Sequence, residues 1–328
     1  MSKEFKSKID VQSESFLKNR AEMLKKIKEM RNLEKRSFNA SESKRKKFED
    51  RNQLTPRERL NALIDPDSEF IELYNMAGFL VEDNNPETSI PGASVIAGIG
   101  FIKGVRCMIM VDDSGINAGA ATSTTVDKCV GCLEISLEKK LPFVHLVESA
   151  GINLMNYKVE IWARAGGMFA GLAKLSAAGV PTITILHGLS TAGGAYNVGM
   201  SDYVIGVKKN GMAALAGPAL LKAATNEVAS NKELGGSEMH ATVSGLVEYL
   251  AEDDSDAIDI ARNVVNALDW NSGFSTIKDN DYIEPKYDID EIAGIVNLDY
   301  KKPYDAREII LRLVDDSSFI EFKPRYGI

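Results

Sequence analysis

The sequence predicts an α/β protein, and three observations carry that expectation. Short apolar runs such as Arg106 to Val111 and Thr182 to Leu186 alternate with longer stretches of helical period. Those apolar runs end in turns of small residues. The chain has 328 residues and is 44% hydrophobic, enough for one large core or two modest ones.

The elements follow in order. Residues 1–53 form a basic helical arm, in which Leu17, Ala21, Leu24, Ile27, Met30 and Leu33 recur every three to four residues within a helix expected over 13–37. From Asn52 a helix opening near Pro56, a turn at Asp65-Pro66-Asp67 and a strand at Phe70 to Leu73 are expected. Arg106 to Val111 reads as a strand and Thr125 to Lys139 as a helix, followed by a buried strand over Phe143 to Val147. An amphipathic helix over Val159 to Ala178 is closed by Gly179 and Pro181. Strands at Thr182 to Leu186 and Tyr203 to Val207 come next, then a helix to about Leu268 that Asp254 can cap. Residues 271–303, rich in Asp, Asn, Pro and Gly, read as a linker.

Composition narrows the function. No apolar run approaches the roughly 18 residues of a membrane span, and Met1 to Lys6 lacks the apolar stretch of a secretory signal and the acid-poor character of a transit peptide. Three cysteines argue against a disulfide framework and for a reducing, cytoplasmic setting. The net charge of −8 divides into +6 over residues 1–50, from 15 basic and 9 acidic side chains, and −14 over the rest. Mixed charge in the arm reads as a solvated helix face, and no nucleic-acid-binding signature accompanies it. Neither nucleic acid nor membrane is expected as a partner.

One stretch of text occurs twice. Arg57-Glu58-Arg59-Leu60 through Asp65 to Leu73 is echoed by Arg307-Glu308-Ile309-Ile310 through Asp315 to Phe322, with one residue inserted in the first copy. A spacing of about 250 residues is too long for a solenoid. It suggests duplicated domains opening alike: one over 54–270, and the start of a second, truncated one over 304–328.

The small-residue turns are Ala118-Gly119-Ala120-Ala121, Ser149-Ala150-Gly151 and Thr191-Ala192-Gly193-Gly194-Ala195. In the last, a strand runs into a Gly-Gly pair that opens a short helix. Such a pair leaves backbone N–H groups pointing outward, suited to an anion: a phosphate, an enolate or an oxyanion. The pattern matches neither the P-loop nor the Rossmann fingerprint.

Thr191-Ala192-Gly193-Gly194-Ala195-Tyr196 with Met200-Ser201-Asp202 resembles the signature of the carboxyltransferase (beta) subunits of biotin-dependent acyl-CoA carboxylases. Pro218 to Thr225, Glu233-Leu234-Gly235-Gly236, His240, Val243-Ser244-Gly245, Ala251 to Asp254, Glu148 to Gly151 and Leu175 to Gly179 fit as well. The resemblance runs from about residue 44 to the end and leans toward methylcrotonyl-CoA and geranyl-CoA carboxylases. It implies a crotonase-type spiral domain that binds acyl-CoA, a complementary C-terminal carboxyltransferase domain, and biotin carboxylase and biotin carrier subunits as partners in a homo- or hetero-oligomer. It implies carboxybiotin, held on the carrier, as the cofactor, with no metal in this chain. On that basis Gly193 and Gly194 are expected to supply the oxyanion hole, with Ala150, Gly151, Ala118, Gly119, Ala192, Ala195 and Tyr196 binding substrate. Two departures put the acyl group in doubt: Asn117-Ala118-Gly119-Ala120-Ala121 replaces a Lys-Gly-Gly-Thr segment followed by aromatics, and Ala216 replaces a glycine.

Other residues read as structural. Cys129 and Cys132 lie one turn apart on an apolar helix face and lack two further zinc ligands in good spacing. His145 reads as a core histidine and His240 as structural, while His187, just before the Gly-Gly region, could approach substrate. Asp112-Asp113 and Glu148 are expected to hydrogen-bond nearby turns, and Trp162 and Phe169 to be core; Lys44 to Lys47 could meet CoA phosphates or be a solvated face, the second reading being slightly preferred. Two alternatives stand: a non-catalytic acyl-CoA-binding or assembly subunit, and a crotonase-like decarboxylase or hydrolase with a side-chain acid or base in its pocket.

Overall fold

The computed structural model describes residues 5–152, 159–270 and 282–319. Contacts divide the chain into two units: residues 33–272 form one, and residues 1–32 with 273–328 the other. Helix α1 (Glu14–Glu42) is longer than the arm helix expected, because its period continues through Phe38. Helix α2 (Arg45–Glu49) follows and buries Phe48.

The larger unit is built on one eight-stranded sheet. Helix α3 (Pro56–Leu63) starts at Thr55, which forms a reciprocal capping box with Glu58. Strands β1 (Ile71–Glu72), β2 (Val95–Ile102) and β3 (Val105–Asp112) pair antiparallel. From β3 the sheet turns parallel through β4 (Phe143–Ser149), β5 (Thr182–Thr191) and β6 (Tyr203–Val207). Between them come α4 (Ser123–Lys139), α5 (Val159–Ala177) and α6 (Gly193–Gly199). Strand β7 (Met212–Ala214) pairs with the far end of β5, and β8 (Tyr249–Ala251) with β6. Helices α7 (Pro218–Thr225), α8 (Asn231–Gly235) and α9 (Ser237–Met239) precede β8, and α10 (Asp254–Ala267) follows it.

Helices cover both faces of the parallel strands, which is why those strands are apolar without a break. Side chains alternate by the period of two. Ile109, Val144, Ile183 and Ile205 face Leu60, Leu63, Ile258 and Ala261 of α3 and α10. Met108, Met110 and Phe143 face Cys129, Cys132, Leu133, Leu172 and Leu175 of α4 and α5.

Two local expectations are corrected. The strand expected over Thr182 to Leu186 runs on to Thr191, because Leu189 to Thr191 pair with β7. Asp254 does not cap α10. Asp253 does, accepting from the N–H of Asp256, while Asp254 is buried and turns inward.

In the smaller unit, Phe16 packs at Gly294 and the Asn19 amide donates to the carbonyls of Gly294 and Val296. The expected linker folds in part: a 3-10 turn (Ile289–Glu291) leads into α11 (Ile292–Ile295), while residues 271–281 lie outside the described residues. Helix α12 (Ala306–Ile310) is capped by Asp305 as α3 is by Thr55, and Asp316 adopts a left-handed backbone, φ 51°, as Asp67 does at 60°. The strand part of this second copy, from residue 320, lies outside the described residues.

Candidate functional site

The three small-residue turns meet at one edge of the sheet, and the reason they are small is that their backbones touch. The Ala150 N–H donates to the Ala118 carbonyl at 3.1 Å, and Ser149 Oγ donates to the Gly119 carbonyl at 2.8 Å. The Ala121 N–H donates to the Gly151 carbonyl at 2.8 Å. A Cβ on Gly119 would stand 2.5 Å from the Glu148 carbonyl oxygen, and Gly151 holds φ +84°, a conformation open to glycine. The third turn is joined to the second where Thr191 Oγ1 reaches the Ala150 carbonyl at 3.4 Å.

Between β5 and α6 the chain reverses on Ala192, at φ 51° and ψ −117°. That region is strained for a residue with a Cβ, at a cost of about 1–3 kcal/mol. The Ala192 N–H is held by the Ala214 carbonyl of β7 at 3.1 Å. Gly193 and Gly194 then open α6, so helix geometry gives their N–H groups no carbonyl partner. Gly194 has no room for a larger residue: a Cβ would meet Ser190 Oγ at 2.8 Å.

This edge bounds a cavity of about 400 Å³. Gly119, Gly151, Ala192, Gly193, Gly194 and Tyr196 line it, so six of the nine residues expected at the site stand on one wall. Ala118 and Ala150 do not line it; both are exposed and tied to each other, and Ala195 borders a neighbouring hollow with Ala213 and His240. The opposite wall comes from α4 and α5 and includes Val126, Cys129, Ala165 and Phe169, the last against Tyr196 at 5.0 Å between ring centroids.

Two groups on the cavity were not expected there. Trp162 is 45% exposed and lines the cavity, correcting its reading as core; the helix period is right, but this face of α5 borders open space. Asp112 and His145 also line it, joined by a hydrogen bond of 3.0 Å between Asp112 Oδ1 and His145 Nε2. His145 is a partnered, buried histidine as read, and its place on the cavity follows from sharing a strand face with Phe143 and Val147.

His187 does not approach the cavity. It is fully buried in an ionic cluster that the sequence did not announce. Arg59, also fully buried, donates to Glu148 at 2.7 Å and to Asp254 at 2.9 Å. His187 Nδ1 lies 2.8 Å from the other Asp254 oxygen. Burial and the Arg59 guanidinium push the His187 imidazole below its ordinary value. Burial alone would raise Asp254, but His187, Arg59 and the Leu54 N–H overcome it and hold that carboxyl well below the usual range.

The remaining candidates are structural. Burial raises the thiols of Cys129 and Cys132, the latter to about 11, which disfavours the thiolate a metal needs. Among the described residues no group of three or more His, Cys, Asp or Glu side chains could hold a metal ion, and no helix is long and apolar enough to cross a membrane. His240 bonds Ser244 Oγ and the Ala213 carbonyl. Arg45, within the basic run, pairs with Glu42 and Glu58.

The fold and the glycine-walled edge define a crotonase-like carboxyltransferase domain. The chain belongs to the carboxyl transferase family: that domain's model matches residues 47–328. It is 45% identical over 281 residues to a probable biotin-dependent acyl-coenzyme A carboxylase beta2 subunit of Mycobacterium tuberculosis, covering 84% of this chain and 51% of that one. It is 38% identical to the mitochondrial methylcrotonoyl-CoA carboxylase beta chain of Arabidopsis thaliana, covering 97% and 55%. The crystal structure of the P. aeruginosa geranyl-CoA carboxylase beta subunit superposes with a TM-score of 0.88 at 43% identity, covering 97% of this chain and 59% of that one. The chain thus spans about half the length of the curated relatives it matches.

Proposed function

We propose that this chain is the acyl-CoA-binding half of a biotin-dependent acyl-CoA carboxyltransferase. The observation that carries the reading is the Thr191–Gly194 turn, which sets two backbone N–H donors on the wall of an apolar cavity. The tip of the turn, Ala192, offers a methyl group and no nucleophile. Its donors instead suit charge that develops on a thioester oxygen as the α-carbon becomes an enolate. One such donor lowers a barrier by roughly 3–4 kcal/mol in other enzymes.

In this reading Gly193 and Gly194 hold the oxyanion. Gly119, Gly151 and Ala192 shape the wall against which the thioester lies, Ala118, Ala150 and Ala195 belong to the same three turns and bind the substrate outside that cavity, and Tyr196 closes one side. Trp162 and Phe169 enclose the acyl chain. Carboxybiotin, brought by a carrier subunit, supplies when bound the carboxyl group and a ureido nitrogen that takes the α-proton. The turn fits that partner: it stabilises charge and leaves the proton acceptor to the incoming group. The matching caps and left-handed aspartates at 55–67 and 305–316 support 304–328 as the opening of a second domain, whose remainder would complete the site. Biotin carboxylase, carrier and an oligomeric assembly follow as partners, and the three free buried cysteines support a reducing, cytoplasmic setting.

The test combines this chain with a separately expressed complementary carboxyltransferase domain, biotin carboxylase and carrier. Acyl-CoA-dependent fixation of labelled bicarbonate is expected. Tight acyl-CoA binding without fixation would identify an assembly subunit instead, and turnover without biotin a crotonase-like hydrolase or decarboxylase.

A further inference from the structure

The cavity is largely apolar, yet four polar side chains more than nine-tenths buried interrupt its lining: Asp112, Thr125, His145 and Asn197. Asp112 and Thr125 are paired within the protein, while His145, 3% exposed, and Asn197, 8% exposed, keep polar atoms to spare. His145 is held in one orientation. Its Nε2 faces Asp112 Oδ1 at 3.0 Å, and the other Asp112 oxygen accepts the Glu148 N–H at 3.2 Å. Nε2 therefore faces the carboxylate, and Nδ1 is the ring nitrogen left over. Nδ1 has no hydrogen-bond partner among the described residues, nor is it one of the fully enclosed unpartnered atoms. The free space that His145 borders is the cavity.

Asn197 projects from α6, one turn beyond Gly193 and Gly194. Its main-chain carbonyl accepts from Ser201 Oγ at 2.8 Å, while its side-chain amide has no partner among the described residues. Two neighbouring hydroxyls are already committed, Ser149 Oγ to the Gly119 carbonyl and Thr125 Oγ1 to the Ala93 carbonyl. The cavity therefore holds one ring nitrogen and one side-chain amide that the described residues leave unpaired.

We propose that this cavity selects acyl-CoA thioesters whose acyl chain carries a hydroxyl group, with His145 and Asn197 as the specificity-determining residues. The proposal rests on the acyl-CoA reading above and narrows it. A pure hydrocarbon chain would remove both groups from water and give them nothing in return. A hydroxyl, which both donates and accepts, is the simple group that can pair with a ring nitrogen and with a side-chain amide. Asp112 acts through His145, as a positioning residue that fixes the ring.

The experiment measures equilibrium binding of hexanoyl-CoA and of its 3-hydroxy and 6-hydroxy derivatives to the full chain. At least one hydroxylated ester is expected to bind roughly 10- to 100-fold more tightly than hexanoyl-CoA, the range of a buried hydrogen-bonding group left unpaired. His145→Phe and Asn197→Ala should each shrink that ratio. A purely structural role would weaken all three ligands together and leave the ratio intact. Asn197→Ala, a truncation within a helix that removes no hydrogen bond of the described residues, keeps the test open if His145→Phe does not fold. Equal binding of all three esters to the wild-type chain would overturn the hydroxyl proposal and leave the acyl-CoA reading standing. No binding of any ester would overturn both.

Discussion

Glu148 and Ser149 are adjacent in the chain and serve different regions. Glu148 turns to the face where Arg59, His187 and Asp254 neutralise one another out of reach of solvent. Ser149 turns to the cavity and bonds only backbone. Two carboxylates and the histidine that precedes the glycine-rich turn are spent on holding β4, β5, α3 and α10 together. The residues at the candidate site are glycines and alanines with little chemistry of their own. A charged side chain buried in an ion cluster is out of a ligand's reach whatever donors it has spare, whereas an unpaired backbone N–H at a helix start on the cavity wall is within reach.

The largest effect that would break this contrast is in the ionic cluster. Replacing Arg59 with Leu leaves Glu148 and Asp254 buried beside each other without their shared cation. Removing one partner of a buried pair costs about 3–5 kcal/mol, read as a drop in the urea unfolding midpoint. Arg51, 3.2 Å from Glu148 and half exposed, compensates only on one side. If Arg59→Leu proved as stable as wild type, the cluster would not be the framework described.

A smaller effect, with a sharper signature, is expected at the turn. A Cβ on Gly194 would meet Ser190 Oγ at 2.8 Å, whereas one on Gly193 meets nothing nearer than Phe169 Cζ at 3.8 Å. Gly194→Ala should therefore shift the turn and cost about 1–3 kcal/mol of stability. It should also lower carboxylation in the reconstituted system by about 100-fold, the scale of one lost oxyanion donor. Gly193→Ala should change stability by less than about 1 kcal/mol, since alanine is the better helix former. Equal losses from both variants would contradict the geometry of the turn.

These differences also show what was legible in the sequence. Most of the larger elements were, because each parallel strand is buried on both faces and its apolar side chains come in a run; the eight-residue β2 was not foreseen, its run being diluted by Gly98 and Gly100. The Gly-Gly wall was legible too, since backbone contact admits only small side chains at Gly119, Gly151 and Gly194. The ionic cluster was not: Arg59 and Asp254 are 195 residues apart, and nothing local in either segment announces the other. His145 and Trp162 were placed on the right faces but assigned to core, because periodicity tells which side a residue faces and not whether that side is filled. The extension of β5 to Thr191 depended on β7, a partner strand of three residues whose own sequence is too short to read.

The smallest expected effect is a dependence of stability on pH, and it separates the two regions without disturbing either. His187 is held below its ordinary value, so between that lowered value and about 6.5 the unfolded chain binds a proton that the folded chain refuses. Its contribution to stability is present above pH 6.5 and is lost as the pH falls below it. Asp254 is depressed from 3.8, so its contribution is lost only in stronger acid, as the pH falls below that value. The window from pH 7 to 5 therefore reads His187 apart from Asp254. Asp113 works in the opposite sense, because burial raises its carboxyl, with Ser41 and the Gly115 N–H offsetting part of the rise. The measurement is accordingly the difference in slope of unfolding free energy between wild type and His187→Gln. Wild type should lose more stability than the variant between pH 7 and 5. Parallel slopes would mean that His187 takes up its proton as readily folded as unfolded, and that the cluster is open to water rather than closed beneath the cavity's backbone wall.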